Sequence, residues 1–204
     1  MKKGLIFTVM LLNVFIFSFA QNEADFRVGL TQDLNGVVIL EYIGNATSVN
    51  IPSTIQGMPT KEISRDAFGS SSTDIMGTTW RGKPITSVVI PEGITTIPND
   101  CFNSCENLRS VILPSTIVRI GDNAFRGCKS LREISLPEGL TNIGSVAFGG
   151  CTALTSINIP DSVTNIGGAA FVGSGLISIN WPAKITAIQS FQDSNFWQTT
   201  YGMF

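Results

Sequence analysis

The chain has 204 residues, of which 43% are apolar, and this is length enough to bury a sizeable core. Thirteen basic against 15 acidic side chains give a formal charge of −2, with the charges scattered, so nothing marks a surface for nucleic acid or anionic lipid. The absence of histidine excludes nucleophile–histidine catalysis and histidine-ligated zinc, and no P-loop, dinucleotide fingerprint or Asp-rich calcium loop is present.

The first element is a leader. Lys2 and Lys3 precede an apolar run over residues 4–19, and Ser18 and Ala20 stand at the −3 and −1 positions of a cut before Gln21. A basic start, a short apolar stretch and a small-residue cleavage site predict a secretory signal peptide over residues 1–20. The run is shorter than the ~20 residues of a spanning helix, which sets the alternative of an uncleaved anchor second. Export to the cell surface or medium is expected, with the periplasm as the other destination.

Residues 21–48 are expected to form an N-terminal cap. Phe26-Arg-Val-Gly-Leu30 and Val37-Val-Ile-Leu-Glu-Tyr42 flank Asn35-Gly36, the pairing of a hairpin with a type I′ turn. Residues 49–84 form a stretched first repeat containing Ile51-Pro52 and Ala67-Phe68. Its insertions lie around Gln56-Gly57-Met58-Pro59 and around Trp80-Arg81-Gly82-Lys83-Pro84. Inserted loops often carry binding, and Trp80 with Arg81 is the residue mix of interface hot spots, although Trp80 folding back onto the convex side is equally consistent.

From residue 85 to residue 191 the chain repeats. Pro91, Pro114, Pro137 and Pro160 recur every 23 residues, as do Phe102, Phe125, Phe148 and Phe171. Four repeats open Ile85-Thr-Ser-Val-Val-Ile-Pro91, Leu108-Arg-Ser-Val-Ile-Leu-Pro114, Leu131-Arg-Glu-Ile-Ser-Leu-Pro137 and Leu154-Thr-Ser-Ile-Asn-Ile-Pro160; a fifth, ending at Pro182, comes one residue early. Alternation predicts a short strand that proline terminates, with successive strands pairing in parallel about 4.8 Å apart. Two further anchors follow, such as Ile94 with Ile97 and Ile117 with Ile120, and then an Ala-Phe step that turns a ring inward. A period of this length means a solenoid.

The pattern L-x-x-I-x-L-P, then I-x-x-I, then A-F-x-x-C, resembles the BspA-like class of leucine-rich repeats of secreted and surface proteins, over residues 26–191. The resemblance implies a leucine-rich-repeat solenoid: parallel strands on the concave face, a mostly irregular or short-helical convex side, and a role in attachment to host or neighbouring-cell proteins. Residues 192–204, with Phe196, Trp197, Tyr201 and Phe204, break the register and read as an aromatic cap, a dimer contact or the edge of a longer product.

Cys105, Cys128 and Cys151 share one repeat position, which Ser174 continues, and Cys101 replaces the alanine of Ala124. A column of compact buried hydrophobes is the favoured reading, against a disulfide between rungs or a thiolate metal site. Four free thiols and no cofactor or metal are expected. Glu92 and Glu138, beside prolines, read as solvated turn residues and not as catalytic carboxylates.

Two outward positions per repeat form the candidate partner-binding surface. One column is Ser87, Ser110, Glu133, Ser156 and Ser178; the other is Val89, Ile112, Ser135, Asn158 and Asn180, with Arg109 and Arg132 alongside and the Trp80-Arg81 loop as an addition. This small-residue face, with almost no charge, suits a protein strand or loop. The function expected is that of a secreted, non-catalytic protein-binding module. The alternative is a periplasmic scaffold acting through self-association.

Overall fold

A strand of two or three residues cannot cover its own apolar face, so each repeat depends on the next to bury it. The computed structural model describes residues 22–65, 67–69, 82–182 and 187–188. The repeats stack as rungs of a β-solenoid, and among the described residues the only helical element is the 3-10 turn Glu23–Asp25.

Strands β1 (Phe26–Leu30) and β2 (Val37–Tyr42) pair antiparallel as the expected cap hairpin. Their connection is not the type I′ turn that Asn35-Gly36 suggests. Its positive φ lies at Leu34 (+57°), and Asp33 holds the loop by accepting hydrogen bonds from Thr31 Oγ1 and Asn35 N. Gly36 is required for space instead, because a Cβ there would lie 2.9 Å from Pro59 O.

After β3 (Ser48–Asn50) come β4 (Thr54–Ile55) and β5 (Met58–Ile63), a second hairpin. Its central residues Gln56 and Gly57 both have positive φ, +53° and +78°, as a type I′ turn demands. The insertion after Pro52 therefore enlarges the cap into a four-stranded sheet of order β1-β2-β5-β4.

From Ser87 onward each repeat supplies two strands. They are β6 (Ser87–Val89) and β7 (Thr96–Ile97), β8 (Ser110–Ile112) and β9 (Arg119–Ile120), β10 (Glu133–Ile134) and β11 (Asn142–Ile143), β12 (Ser156–Asn158) and β13 (Asn165–Ile166), and β14 (Ser178–Asn180) and β15 (Ala187–Ile188). The even-numbered members line the concave face. There β3, β6, β8 and β10 pair in parallel, and β12 pairs with β14, but β10 and β12 are not joined, so this ladder is interrupted once.

The side expected to be irregular or short-helical carries a second parallel ladder, β7-β9-β11-β13-β15, without interruption. The cause is local. Ile97, Ile120, Ile143 and Ile166 are β-branched, buried at one position per rung, and each follows a residue that points outward. Beyond them the main chain keeps bonding from rung to rung: Phe102 N donates to Ala124 O (2.8 Å), Phe125 N to Ala147 O (2.8 Å) and Phe148 N to Ala170 O (2.7 Å).

Those bonds place the rings. Phe68, Phe102, Phe125, Phe148 and Phe171 stack with centroids 5.0–5.6 Å apart and planes within 22° of parallel. The cap extends the ladder with Tyr42, 5.6 Å from Phe68, and Phe26 beyond it. Tyr42 Oη donates to Ala46 O (3.0 Å), so its polar end is satisfied. At the other end Trp181 meets Phe171 edge-on at 6.5 Å. Each buried ring contributes roughly 1.5–3 kcal/mol by area alone.

Turning the chain before each ring requires a left-handed residue. Asp100, Asn123, Val146 and Ala169 occupy equivalent positions with φ of +57°, +54°, +55° and +55°. Asn and Asp tolerate this conformation, whereas a β-branched valine is strained there.

Two measurements on stability follow from this packing. Phe125→Ala removes a ring with neighbours on both faces and is expected to cost about 3–5 kcal/mol in urea unfolding. Val146→Asn, which copies Asn123, is expected to raise stability by about 1 kcal/mol; a lower midpoint would show that no strain is relieved there.

Candidate binding face

Side chains alternate across a strand, so each concave strand that buries its middle residue must present its first and third. Val88, Val111, Ile134 and Ile157 point into the core, and the residues beside them face out. Pairing sets Ser87, Ser110 and Glu133 in register in one column and Val89 with Ile112 in the next, and beyond the break it sets Ser156 with Ser178 and Asn158 with Asn180 in the corresponding positions. Ser135 lies just beyond β10 and is exposed. Arg109 and Arg132 precede their strands and are exposed, tied in place by Arg109 N donating to Thr86 O and Arg132 N to Arg109 O. Trp80 and Arg81 lie outside the described residues, as do residues 1–20, where a leader is expected, and residues 192–204.

Both columns begin one rung earlier than the sequence reading placed them. Ser48, Val49 and Asn50 pair in parallel with Ser87, Val88 and Val89, and Ser48 joins the first column while Asn50 joins the second. The signal was present in Ser48-Val-Asn-Ile-Pro52, which matches Ser87-Val-Val-Ile-Pro91, but Ala46 stands where later repeats carry leucine or isoleucine. In the sequence the segment reads as a stretched first repeat, offset by 39 residues from the next, without its outward positions being assigned.

Neighbours within the columns interact. Ser87 Oγ donates to Ser48 Oγ at 2.7 Å, and Asn180 Nδ2 donates to Asn158 Oδ1 at 2.9 Å. Ile112 stands 60% exposed between half-buried Val89 and polar Ser135. Beyond polar Ser48 and Asn50 the face therefore runs from an apolar step to an amide ladder, with Glu133 as the charge in its two columns. Among the described residues no group of three or more cysteine, aspartate or glutamate side chains is arranged to hold a metal ion.

The family model for the BspA-type leucine-rich repeat region matches residues 73–199 in six copies. The chain belongs to the BspA-type leucine-rich repeat family. It is similar to a leucine-rich repeat protein of T. pallidum, at 31% identity and a TM-score of 0.70, covering 79% of this chain and 71% of that one. A leucine-rich repeat protein of Bacteroides ovatus is 25% identical with a TM-score of 0.69, covering 85% of this chain but only 44% of its own length. The pneumococcal vaccine antigen PcpA, at 20% identity and a TM-score of 0.56, shares the fold. No curated protein matches the chain.

In this BspA-type solenoid the cysteine column is a hydrogen-bonded part of the core. Cys105, Cys128 and Cys151 donate S–H to the carbonyls of Phe68, Phe102 and Phe125 at 3.3, 3.3 and 3.2 Å, and these three and Cys101 are buried and form no disulfide. Ser174, next in the column, buries its Oγ without a hydrogen-bond partner among the described residues. Burial pushes the Cys105 and Cys151 thiols up to about 12 and Cys128 well above its ordinary range. Such thiols are poor nucleophiles and metal ligands at neutral pH.

The native protein is therefore expected to resist a thiol reagent at pH 8, and the denatured, unreduced protein to titrate four thiols. Because folding raises these pKa values, their contribution to stability is complete below pH 9 and is lost as pH climbs towards about 12. Cys128→Ser, which removes one titrating group, is expected to flatten that alkaline loss; an unchanged slope would assign it to other groups.

Proposed function

We propose that the chain is an exported, non-catalytic binding module that recognises a protein partner at the cell surface through its concave face, with the Trp80-Arg81 loop contributing. The observation that carries this reading is the pair of outward columns, set by parallel pairing on either side of the break between β10 and β12 and composed of Ser, Asn and apolar side chains around Glu133. Such a surface offers hydrogen bonds at regular intervals beside an exposed isoleucine, which is the chemistry of a polypeptide segment.

Membership of the BspA-type family supports an interaction or scaffold role, and proteins of this kind are typically surface or secreted bacterial proteins. The leader pattern of residues 1–20 points the same way, and among the described residues no helix is long and apolar enough to cross a membrane. The chain lacks histidine, so the commonest general base is unavailable to a hydrolytic site.

Photo-crosslinking on intact cells tests the surface. A crosslinker at Ile112 or Asn158 is expected to form an adduct of defined mass, and one at Val118, exposed beside the second ladder, is not. Adducts from Val118 alone would move the site to the other side. Protease shaving of the same cells tests the location: released repeat peptides, without those of a periplasmic control, place the solenoid outside. Protection equal to that control would leave the periplasmic scaffold.

A further inference from the structure

The second ladder has an outward column of its own. Arg119, Asn142 and Asn165 stand in register on β9, β11 and β13. Beside them a trough of about 260 Å³ runs across three rungs. Its floor is glycine for a steric reason: a Cβ on Gly144 would lie 2.5 Å from Asp122 N, and one on Gly167 would lie 2.3 Å from Ser145 N. The tight rung packing thus leaves a strip of bare main chain between two walls. The second wall is Asp122 and Ser145, fixed to each other because Asp122 Oδ1 accepts the Ser145 N–H at 2.8 Å.

Part of the hydrogen-bonding capacity of these walls is not consumed by the fold. Arg119, like Arg109, Arg126 and Arg132, has no carboxylate within 4 Å among the described residues, so its guanidinium is available to a ligand. The Asn165 amide makes no side-chain hydrogen bond among the described residues, and Asn142 uses only its oxygen, which accepts from Thr141 Oγ1 at 2.8 Å.

We propose that this trough binds an acidic sugar, a hexuronate unit of a polysaccharide, on the side of the solenoid opposite the concave face. A guanidinium matches the two oxygens of a sugar carboxylate, and a carboxamide both donates to and accepts from ring hydroxyls. Asp122 keeps a second oxygen for a hydroxyl proton, and the glycine floor lets a ring lie close to the main chain. The walls repeat at the rung spacing of about 4.8 Å, so a polymer can engage more than one rung. A peptide fits less well. The trough holds no aromatic anchor, and the backbone of β9, β11 and β13 is already paired on both sides, which rules out strand addition. This site is independent of the concave-face reading.

Titrating the full ¹⁵N-labelled chain with trigalacturonate tests the proposal, with a neutral galactose trisaccharide and an aspartate-containing hexapeptide as comparisons. Amide shifts are expected at Asn142, Gly144, Ser145 and Gly167, with binding at least about tenfold tighter than for the neutral sugar. Arg119→Ala should weaken binding about tenfold or more, and Asn158→Ala on the concave face should leave it unchanged. Because Arg119 is exposed, its variant should melt with the parent, which separates lost binding from lost fold. No shift at millimolar sugar, shifts confined to the concave face, an equal response to the neutral sugar, or a stronger response to the hexapeptide would each overturn the assignment.

Discussion

Register is the constraint on which this molecule depends. Successive rungs hydrogen-bond to and pack on one another at equivalent repeat positions, so the bonds that hold Phe102 to Ala124 and Phe125 to Ala147 also set the ring spacing. A slip of one residue would exchange buried and outward side chains on every strand of that rung. Phenylalanine, isoleucine and a small residue therefore return at fixed places. They leave little freedom inside the stack and almost complete freedom outside it.

That division explains how one scaffold can carry two unrelated surfaces. Ser110, Glu133 and Ser156 occupy one structural position, as do Arg119, Asn142 and Asn165, and none of them contributes to the ring ladder. Their identities can change with little effect on the core. The glycines are the exception, since Gly144 and Gly167 are imposed by rung contact and shape the outer surface as a by-product.

Much of the fold was legible because it is written as a period. The proline and phenylalanine spacing located the strands, the inward rings and the cysteine column, and the alternation identified which side chains face out. What was not legible depends on contacts without a period. Asn35-Gly36 carries the local signature of a type I′ turn, but Asp33 and the approach of Pro59 O dictate a different loop. Gln56-Gly57 carries a weaker signature and adopts the turn because β4 and β5 pair across it. The strand at Ser48 was masked by Ala46, and the second ladder by strands only two residues long, too short for alternation to declare itself. The concave columns were readable as positions, whereas the trough at Gly144 exists only once three rungs are stacked.

The interruption between β10 and β12 has a mechanical meaning. A pull along the solenoid axis runs in line with the hydrogen bonds that join the rungs, so it loads them one interface after another instead of shearing many at once. Between Ile134 and Ile157 the concave ladder contributes no pairing, and these rungs are joined by the second ladder, by main-chain bonds such as Phe148 N to Ala170 O, and by the corner bond from Ala153 N to Lys129 O. The concave side is thus least tied between the part bearing the cap and the exposed Ile112 and the part bearing the amide ladder of Asn158 and Asn180, and the second ladder joins the two without a break.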